Sequence, residues 1–189
     1  MILTKVISSN KIKLEVKTNH KNHIKGVYIV IQHIIHPISP VYDKNSKILI
    51  LGSFPSVKSR EAGFFYGHPQ NRYWKVLAGV FKDAVPVTIP DKKAFLLKHN
   101  IAAWDVIASC DIEGSSDASI KNAIPNDLTA ILRTADIINI FTNGKTAYNL
   151  FQKYTAPIIH RDSICLPSTS PANAAWTLDK LIEAWKIIN

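Results

Sequence analysis

The residues best suited to chemistry lie in a long aromatic segment that follows a short apolar run. The run Ile48–Leu51 ends at Gly52–Ser56, and the segment Gly63–Trp74 then places aromatic side chains close to Asn71 and Arg72. A long connection of this composition is unusual in a compact domain and often binds a ligand. Aromatic faces next to an amide and a guanidinium suit a flat ligand that forms hydrogen bonds, such as a nucleobase.

Apolar runs that alternate with helix-like stretches must position this segment. Such alternation predicts an α/β fold in which a parallel sheet is covered by helices on both faces. We predict strands at Lys47–Leu51, Ile101–Ile107, Asp136–Phe141 and Ile158–Leu166, and helices at about Asn71–Phe81, Asp91–Lys98, Asn126–Arg133, Lys145–Tyr154 and Pro171–Ile188.

Polar residues lie at or near the carboxyl end of every predicted strand. Trp104–Asp105, Asn143–Lys145 and Leu166–Asn173 join Gly52–Ser56 in this position. Because the carboxyl ends of parallel strands meet at one edge, where such sheets bind ligands, we expect one site. Asp105 is placed to accept hydrogen bonds from N–H groups of a ligand, although a capping role fits its position equally well.

The last of these clusters is rich in hydroxyl groups. Ser170 and Pro171 have the residue types of an N-cap and a first helical residue. Ser168, Thr169 and Ser170 at such a helix start could bind a phosphate. Lys145 after a tight turn allows the same interpretation, but it could equally be an exposed lysine.

Length and charge are compatible with one domain that contacts a polyanion. The chain has 189 residues and a formal net charge of +9, which favours nucleic acid as a partner. Residues 1–26 contain six lysines and one glutamate, so they supply +5 and leave +4 for the rest. The compact part is therefore only mildly basic.

Several classes of site and location are excluded or disfavoured. Two cysteines cannot build a four-thiolate metal or iron–sulfur site, and the histidines lack metal-ligand spacing, so we expect no metal. The apolar stretch 27–35 is too short to span a bilayer. No signal-peptide pattern is present, and we expect a cytoplasmic protein without membrane contact.

Residues 1–34 are predicted to form a basic N-terminal extension outside a domain at 35–189. The alternation in Lys11–Lys17 permits a strand with polar faces. A disordered or loosely attached segment is at least as compatible with the composition. A mis-assigned translation start is a third interpretation that the sequence leaves open.

Three blocks of the sequence resemble the uracil-DNA glycosylase superfamily, most closely its hypoxanthine-DNA (deoxyinosine) glycosylase branch. The first two also resemble the mismatch-specific uracil-DNA glycosylases. The resemblance covers about residues 35–189. It is carried by Gly52–Ser56, Gly67–Trp74 and Leu166–Asn173, with further support from Trp104–Asp105 and Asn143–Lys145.

The resemblance implies a three-layer α/β/α sandwich with a short, mostly parallel four-stranded sheet. It implies a monofunctional enzyme of base excision repair, a monomer without a cofactor, that acts on double-stranded DNA. Such an enzyme flips a deaminated base out of the duplex and hydrolyses its N-glycosidic bond. The branch points to hypoxanthine as the base, with uracil as a further substrate.

Two residues depart from the pattern of many relatives. Phe54 stands where relatives carry an Asp or Asn that activates water, and Leu166 stands where several carry a histidine that stabilises the departing base. The branch implies Asn71 as the catalytic residue instead. An amide is not a base, so we expect Asn71 to orient water by accepting its hydrogen bond.

Family position also suggests roles for the other site residues. Tyr66 would stack on the flipped base, and the backbone amides of Ser53 and Phe54, together with Asp105, would read the base edge. Contacts to the DNA backbone are expected from Arg72, Asn143, Lys145, Ser168, Thr169 and Ser170. Two other functions stay open, namely a non-catalytic sensor of damaged DNA or nucleotides and an N-glycosidase for free nucleosides.

Overall fold

The computed structural model describes residues 2–8, 11–17 and 30–189, with side chains from residue 31 onward. Its strands are β1 Ile2–Ser8, β2 Lys11–Lys17, β3 Val30–Ile35, β4 Ile48–Gly52, β5 Ile101–Asp105, β6 Ile107–Glu113, β7 Lys121–Pro125, β8 Asn139–Asn143 and β9 Ile164–Leu166. Its helices are α1 Val57–Ala62, α2 Tyr73–Phe81, α3 Ile89–Lys98, α4 Thr129–Thr134, α5 Lys145–Tyr154, α6 Ala156–Ile159 and α7 Leu178–Trp185.

A four-stranded sheet in the order β5-β4-β8-β9 forms the centre, and all its pairings are parallel. The apolar run of β4 is buried on both faces. Ile50 packs with α2, α3 and α7, whereas Leu49 and Leu51 pack with α4, α5 and α6. This arrangement confirms the predicted three-layer α/β/α sandwich and explains why the strands lack polar alternation.

A second, antiparallel sheet in the order β1-β2-β3-β6-β7 was not predicted from the sequence. The predicted strand Ile101–Ile107 is in fact the end of one sheet and the start of another, because the chain leaves β5 at Asp105 and enters β6 at Ile107. Cys110 and Ile112 of β6 pack in the same core as Leu49. A continuous apolar run cannot show where a chain changes sheets, since both parts are buried.

The predicted final helix is wrong at its start. The helix α7 begins at Leu178, and Thr177 is its N-cap, whose side chain accepts a hydrogen bond from the Lys180 N–H. Ser170 therefore does not cap this helix. Residues 167–176 form an irregular loop instead, because the Arg72 side chain binds several of its backbone carbonyls.

The predicted strand Ile158–Leu166 is shorter than expected. Its first part is the end of α6, and only Ile164–Leu166 pairs with β8. The other four helices lie close to their predicted positions, and α5 has the predicted bounds.

The predicted boundary at residue 34 falls inside β3, which pairs with β6 through Ile31–Ile35. Lys11–Lys17 is strand β2, one of the interpretations that the sequence left open. The division into extension and domain stays a prediction. None of the helices in the described ranges has the length and apolar character needed to cross a membrane.

Candidate active site

A cavity of about 320 Å³ opens at the carboxyl ends of the parallel strands. Gly52 at the end of β4, Asp105 at the end of β5 and Asn143 at the end of β8 all line it. The loop 167–176 closes one side, and the hairpin between β6 and β7 supplies Ser115 and Asp117. The four clusters predicted to share one edge of the sheet therefore meet at one cavity.

Gly52 brings the loop 53–56 between β4 and α1, called the first loop below, against the cavity floor. A Cβ at this position would overlap the Asp105 Oδ1 atom and lie 3.3 Å from the Tyr66 hydroxyl oxygen. No other residue type fits there without moving these groups. Within the described residues, the backbone N–H groups of Ser53 and Phe54 donate no hydrogen bond, so both stay available to a ligand.

Tyr66 lies over the cavity with one ring face covered. Its ring stacks on Tyr73 at a centroid distance of 3.7 Å and an angle of 19°. Its φ of 53° is a left-handed conformation that a bulky residue rarely adopts. Its hydroxyl is buried without a partner in the described structure, and burial raises the pKa of that phenol. Tyr73 covers one face, and Tyr66 itself lines the cavity.

Asn71 lies at the start of α2 and lines the same cavity. Its Oδ1 atom accepts hydrogen bonds from the Tyr73 N–H and the Thr169 hydroxyl, each at 3.0 Å. The backbone N–H of Tyr73 fixes which end of the amide is the oxygen. Because an amide oxygen has two lone pairs, Asn71 has only its NH₂ group left for a ligand. The expectation that Asn71 accepts a hydrogen bond from water does not match this geometry.

Asn143 and Thr169, both predicted DNA contacts, bind each other. Asn143 Nδ2 donates to the Thr169 hydroxyl, and the Thr169 N–H donates to Asn143 Oδ1, both at 2.9 Å. Thr169 is fully buried. These two residues thus join β8 to the loop 167–176 and hold Asn71 in place through the Thr169 hydroxyl.

Arg72 is engaged inside the protein. Its guanidinium donates to the backbone carbonyls of Thr169, Ser170, Asn173 and Trp176. Four of the five N–H donors of an arginine are therefore occupied. Arg72 does not line the cavity, and its geometry suits shaping the loop more than contacting a phosphate.

Ser168 and Ser170 line the cavity at its rim, whereas Lys145 lies outside it. The Ser168 hydroxyl accepts the Ser170 N–H at 3.2 Å, and the Ser170 hydroxyl accepts the Ala172 N–H at 3.3 Å. Lys145 is exposed at the first position of α5 with its Nζ 4.5 Å from the Tyr148 ring centroid. Their roles as DNA contacts stay predictions.

Asp105 is held by His36, a residue that the sequence reasoning considered only as a metal ligand. The two side chains are almost fully buried, and His36 Nε2 lies 2.8 Å from Asp105 Oδ2. The Ile38 N–H donates to His36 Nδ1 at 3.1 Å. The Nε2 atom must therefore carry the proton that His36 donates to the carboxylate. No local pattern in the sequence points to this pair, because the two residues are 69 positions apart.

Asp117 is a second carboxylate that sequence reasoning missed. It lies in the stretch Glu113–Asp117, whose glycine and two serines are typical of a turn and give no sign of a functional carboxylate. Its Oδ1 accepts the Ser53 hydroxyl at 2.9 Å. Burial raises the pKa of this carboxyl above its ordinary value, and the charge of Asp105 adds to the increase.

The two positions that depart from the resemblance are both apolar and buried. Phe54 is 7% exposed and packs edge-on against the His36 ring, with 5.7 Å between the centroids. Leu166 is 3% exposed and belongs to the core on the α2 side of the sheet. Neither side chain can hold a water molecule or a leaving group by a hydrogen bond.

Comparison with known proteins identifies relatives of this site. The family model of the uracil DNA glycosylase superfamily matches residues 39–189. The hypoxanthine DNA glycosylase of Methanosarcina acetivorans is 30% identical over 150 residues, which are 78% of this chain and 93% of that protein. The hypoxanthine DNA glycosylase of Methanosarcina barkeri is 32% identical over 108 residues, 56% of this chain and 68% of the relative.

A solved structure supports the same relationship. The solution NMR structure of a candidate uracil DNA glycosylase from Methanosarcina acetivorans matches with a TM-score of 0.68 and 25% identity. It covers 82% of this chain, and this chain covers 99% of it. The chain belongs to the uracil DNA glycosylase superfamily and, within it, to the hypoxanthine-DNA glycosylase branch.

Proposed function

We propose that this DNA glycosylase removes hypoxanthine from double-stranded DNA as a step of base excision repair, with uracil as a further substrate. The base would be flipped out of the duplex into the cavity at the end of the parallel sheet. The observation that carries the proposal is a fixed hydrogen-bond acceptor, Asp105, beside an aromatic surface and unpaired backbone N–H groups.

Asp105 supports selectivity for deaminated bases. Hypoxanthine presents a carbonyl beside an N–H group, and uracil shares this pattern, whereas adenine has an unprotonated nitrogen at the corresponding position. A carboxylate held by His36 would accept the N–H and repel the lone pair of adenine. Sites built around such a hydrogen bond reject an analogue that lacks it by about 10⁴–10⁵-fold.

The Tyr66 ring and the first loop would hold the base in place. Stacking on an aromatic side chain is worth about 1–3 kcal/mol per base, and the Tyr66–Tyr73 stack fixes the ring that would provide it. The Ser53 and Phe54 N–H groups would donate to the carbonyl of the base. Ser168, Ser170 and Lys145 would contact the DNA backbone near the rim.

The chemistry we propose passes through an oxocarbenium-like sugar. The Asn71 NH₂ group would hold the oxygen of the attacking water, since its carbonyl oxygen already accepts two hydrogen bonds. Precise positioning and the negative charge of nearby carboxylates and phosphates would lower much of the barrier.

Base release from duplexes that carry one deoxyinosine, deoxyuridine or deoxyxanthosine tests the proposal. We expect alkali-labile sites first with deoxyinosine, and a loss of about 10²–10³-fold in single-turnover rate for Asn71→Ala. The variant also removes an acceptor at the start of α2, which costs about 1 kcal/mol of stability, so its thermal unfolding must be measured in parallel. Full activity of a folded Asn71→Ala would contradict the role of Asn71.

A non-catalytic sensor of damaged DNA is the second candidate function. The buried apolar side chains of Phe54 and Leu166 favour it, because they occupy positions from which relatives act on water and base. Selective binding of a deoxyinosine duplex without base release over a long incubation would support the sensor against the enzyme.

A further inference from the structure

The water that replaces the base must lose a proton, and Asn71 cannot accept it. Both lone pairs of its Oδ1 atom are used by the Tyr73 N–H and the Thr169 hydroxyl. The remaining NH₂ group can hold the oxygen of a water molecule but cannot take a proton from it. Some other group that lines the cavity must therefore act as the acceptor.

Two further candidates at the cavity are unsuited to this task. The His68 Nδ1 atom accepts the Gln70 N–H at 3.2 Å, so the neutral ring carries its proton on Nε2 and offers only a donor. Asp105 uses one oxygen for His36, and in the proposed function its other oxygen accepts the N–H of the base, so it has none left for the water.

Asp117 differs from both. Its Oδ1 accepts the Ser53 hydroxyl at 2.9 Å, and its Oδ2 accepts no hydrogen bond from the described residues. It lines the cavity and is only partly buried. We propose that Asp117 accepts the proton of the attacking water, an inference that rests on the proposed glycosylase function.

The hairpin that carries Asp117 is fastened to the first loop and to α1. The Ser115 hydroxyl accepts the Val57 N–H at 2.9 Å. The Arg60 guanidinium donates to the backbone oxygen of Pro55 at 2.7 Å and to that of Gly114 at 3.3 Å. These bonds hold the carboxylate next to Ser53, so its position does not depend on a bound ligand.

The surroundings of Asp117 suit a proton acceptor. Burial raises the pKa of Asp117, and the carboxylate of Asp105 raises it further. The other ionisable groups that face it are Tyr66 and Cys110, whose pKa values burial raises above the ordinary range, so both stay neutral. The Arg60 guanidinium donates to the backbone oxygens of Pro55 and Gly114 and forms no ion pair with Asp117 within the described residues. A carboxylate with a raised pKa takes up a proton more readily near neutral pH.

The step balances as a hydrolysis. The bond between C1′ of the sugar and N9 of hypoxanthine breaks, and its electron pair leaves with the base, which takes a proton from solvent. The water oxygen bonds to C1′ while one of its protons moves to Asp117 Oδ2. Asp117 then releases that proton to solvent.

Single-turnover excision from a deoxyinosine duplex, measured against pH, tests this role. Asp117→Asn keeps the acceptor for Ser53 and removes the base, and we expect a loss of about 10²–10⁴-fold in rate. The wild-type rate should fall as the pH drops through the pKa of Asp117, and the variant should lack that fall. Asp179→Asn, a change at an exposed position of α7, should retain the wild-type rate.

Two measurements separate proton transfer from binding and folding. Affinity for a duplex with uncleavable 2′-fluoro-deoxyinosine should change by less than about threefold in Asp117→Asn, and added formate should restore part of the rate of Asp117→Ala. A variant rate within about threefold of wild type would overturn the inference, as would equal losses of affinity and rate. A wild-type protein without base release would overturn the proposed function and this inference together.

Discussion

The segment 52–74 and the β6–β7 hairpin line the same cavity but come from different sheets and have different chemistry. The segment follows a parallel strand and contributes aromatic rings, backbone N–H groups and the Asn71 amide. The hairpin belongs to the antiparallel sheet and contributes Ser115 and the Asp117 carboxylate. The aromatic surface that would hold a base and the carboxylate that would act on water therefore come from different sheets.

The two regions also differ in how they are fixed. The segment places Phe64, Phe65, Tyr73 and Trp74 in the core, so packing holds it. The hairpin tip is fastened mainly by the hydrogen bonds at Ser53, Val57 and Arg60. Buried aromatic area stabilises far more than exposed hydrogen bonds do, so changes in the two regions should have unequal effects on folding.

The largest expected effect tests whether the two regions act on one water. Asn71→Ala should slow base excision by about 10²–10³-fold and Asp117→Asn by about 10²–10⁴-fold, and the double variant should be about as slow as the slower single one. The losses should not multiply, because once one residue that serves a step is removed, removing its partner in the same step costs little more. Single-turnover rates of the four proteins measure it, with Asn71→Ala/Asp179→Asn as the matched pair. A double variant slowed by the full product of the single losses would show that the regions act independently.

The second prediction compares Arg72, which joins the segment 52–74 to the loop 167–176, with Arg60, which joins the first loop to the hairpin. Arg72→Met leaves four backbone carbonyls without their donor and should lower the free energy of unfolding by about 2–4 kcal/mol. Arg60→Met removes two such bonds at a half-exposed site and should cost about 1 kcal/mol. Urea unfolding of both variants gives the comparison. Equal losses would contradict the larger contribution expected from the four hydrogen bonds of Arg72.

A smaller effect is expected from the Tyr66 ring. Tyr66→Ala should lose the stacking contribution of about 1–3 kcal/mol and bind uncleavable deoxyinosine duplex about 5–150-fold more weakly. Tyr66→Phe is the matched control, because it removes a buried hydroxyl without a partner in the described structure and keeps the ring. Its affinity should stay within about threefold of wild type. Weak binding by Tyr66→Phe would show that the hydroxyl, and not the ring face, makes the contact.

The smallest effect concerns stability against pH at two aspartates. Burial raises the pKa of Asp117 above 3.8, so its contribution to stability decreases as the pH rises from about 3.8 to its native pKa. Lys98 and His99 lower the pKa of Asp83, so its contribution is present above 3.8 and is lost as the pH falls below that value. The stability of Asp117→Asn relative to wild type should therefore increase from pH 4 to pH 8. Asp83→Asn should be less stable than wild type at pH 8.

Denaturant unfolding of these variants at both pH values checks the signs. Asp179→Asn, at an exposed position of α7, reports the effect of a remote change of charge. If Asp117→Asn and Asp83→Asn shifted stability in the same direction at pH 8, the opposite perturbation of the two carboxyl groups would be wrong.

The sequence predicted the parallel sheet and much of its site because both follow from local patterns. Short apolar runs such as Ile48–Leu51, bounded by turn residues, are typical of buried strands, and the carboxyl ends of parallel strands share an edge. Gly52, Tyr66 and Asn71 could be located in this way. The β6–β7 hairpin could not be predicted, because the only residue between β5 and β6 is Val106 and the sequence does not show that a new strand begins there.

The hydrogen-bond partners of the site side chains could not be predicted from the sequence either. Arg72 and Thr169 have the residue types of phosphate contacts, yet their hydrogen bonds are made to residues about 100 positions away. His36 and Asp105 meet only because β3 and β5 lead into the same region. Such pairings depend on the tertiary arrangement, which local patterns do not contain.

Release of the free base by the wild-type protein tests the central claim most directly. Mass spectrometry would follow hypoxanthine set free from a deoxyinosine duplex, beside a matched deoxyadenosine duplex and free inosine. We predict that hypoxanthine is released from the deoxyinosine duplex and that neither comparison substrate is cleaved. Selective binding without release, or cleavage of free inosine alone, would contradict a DNA glycosylase built on these two regions.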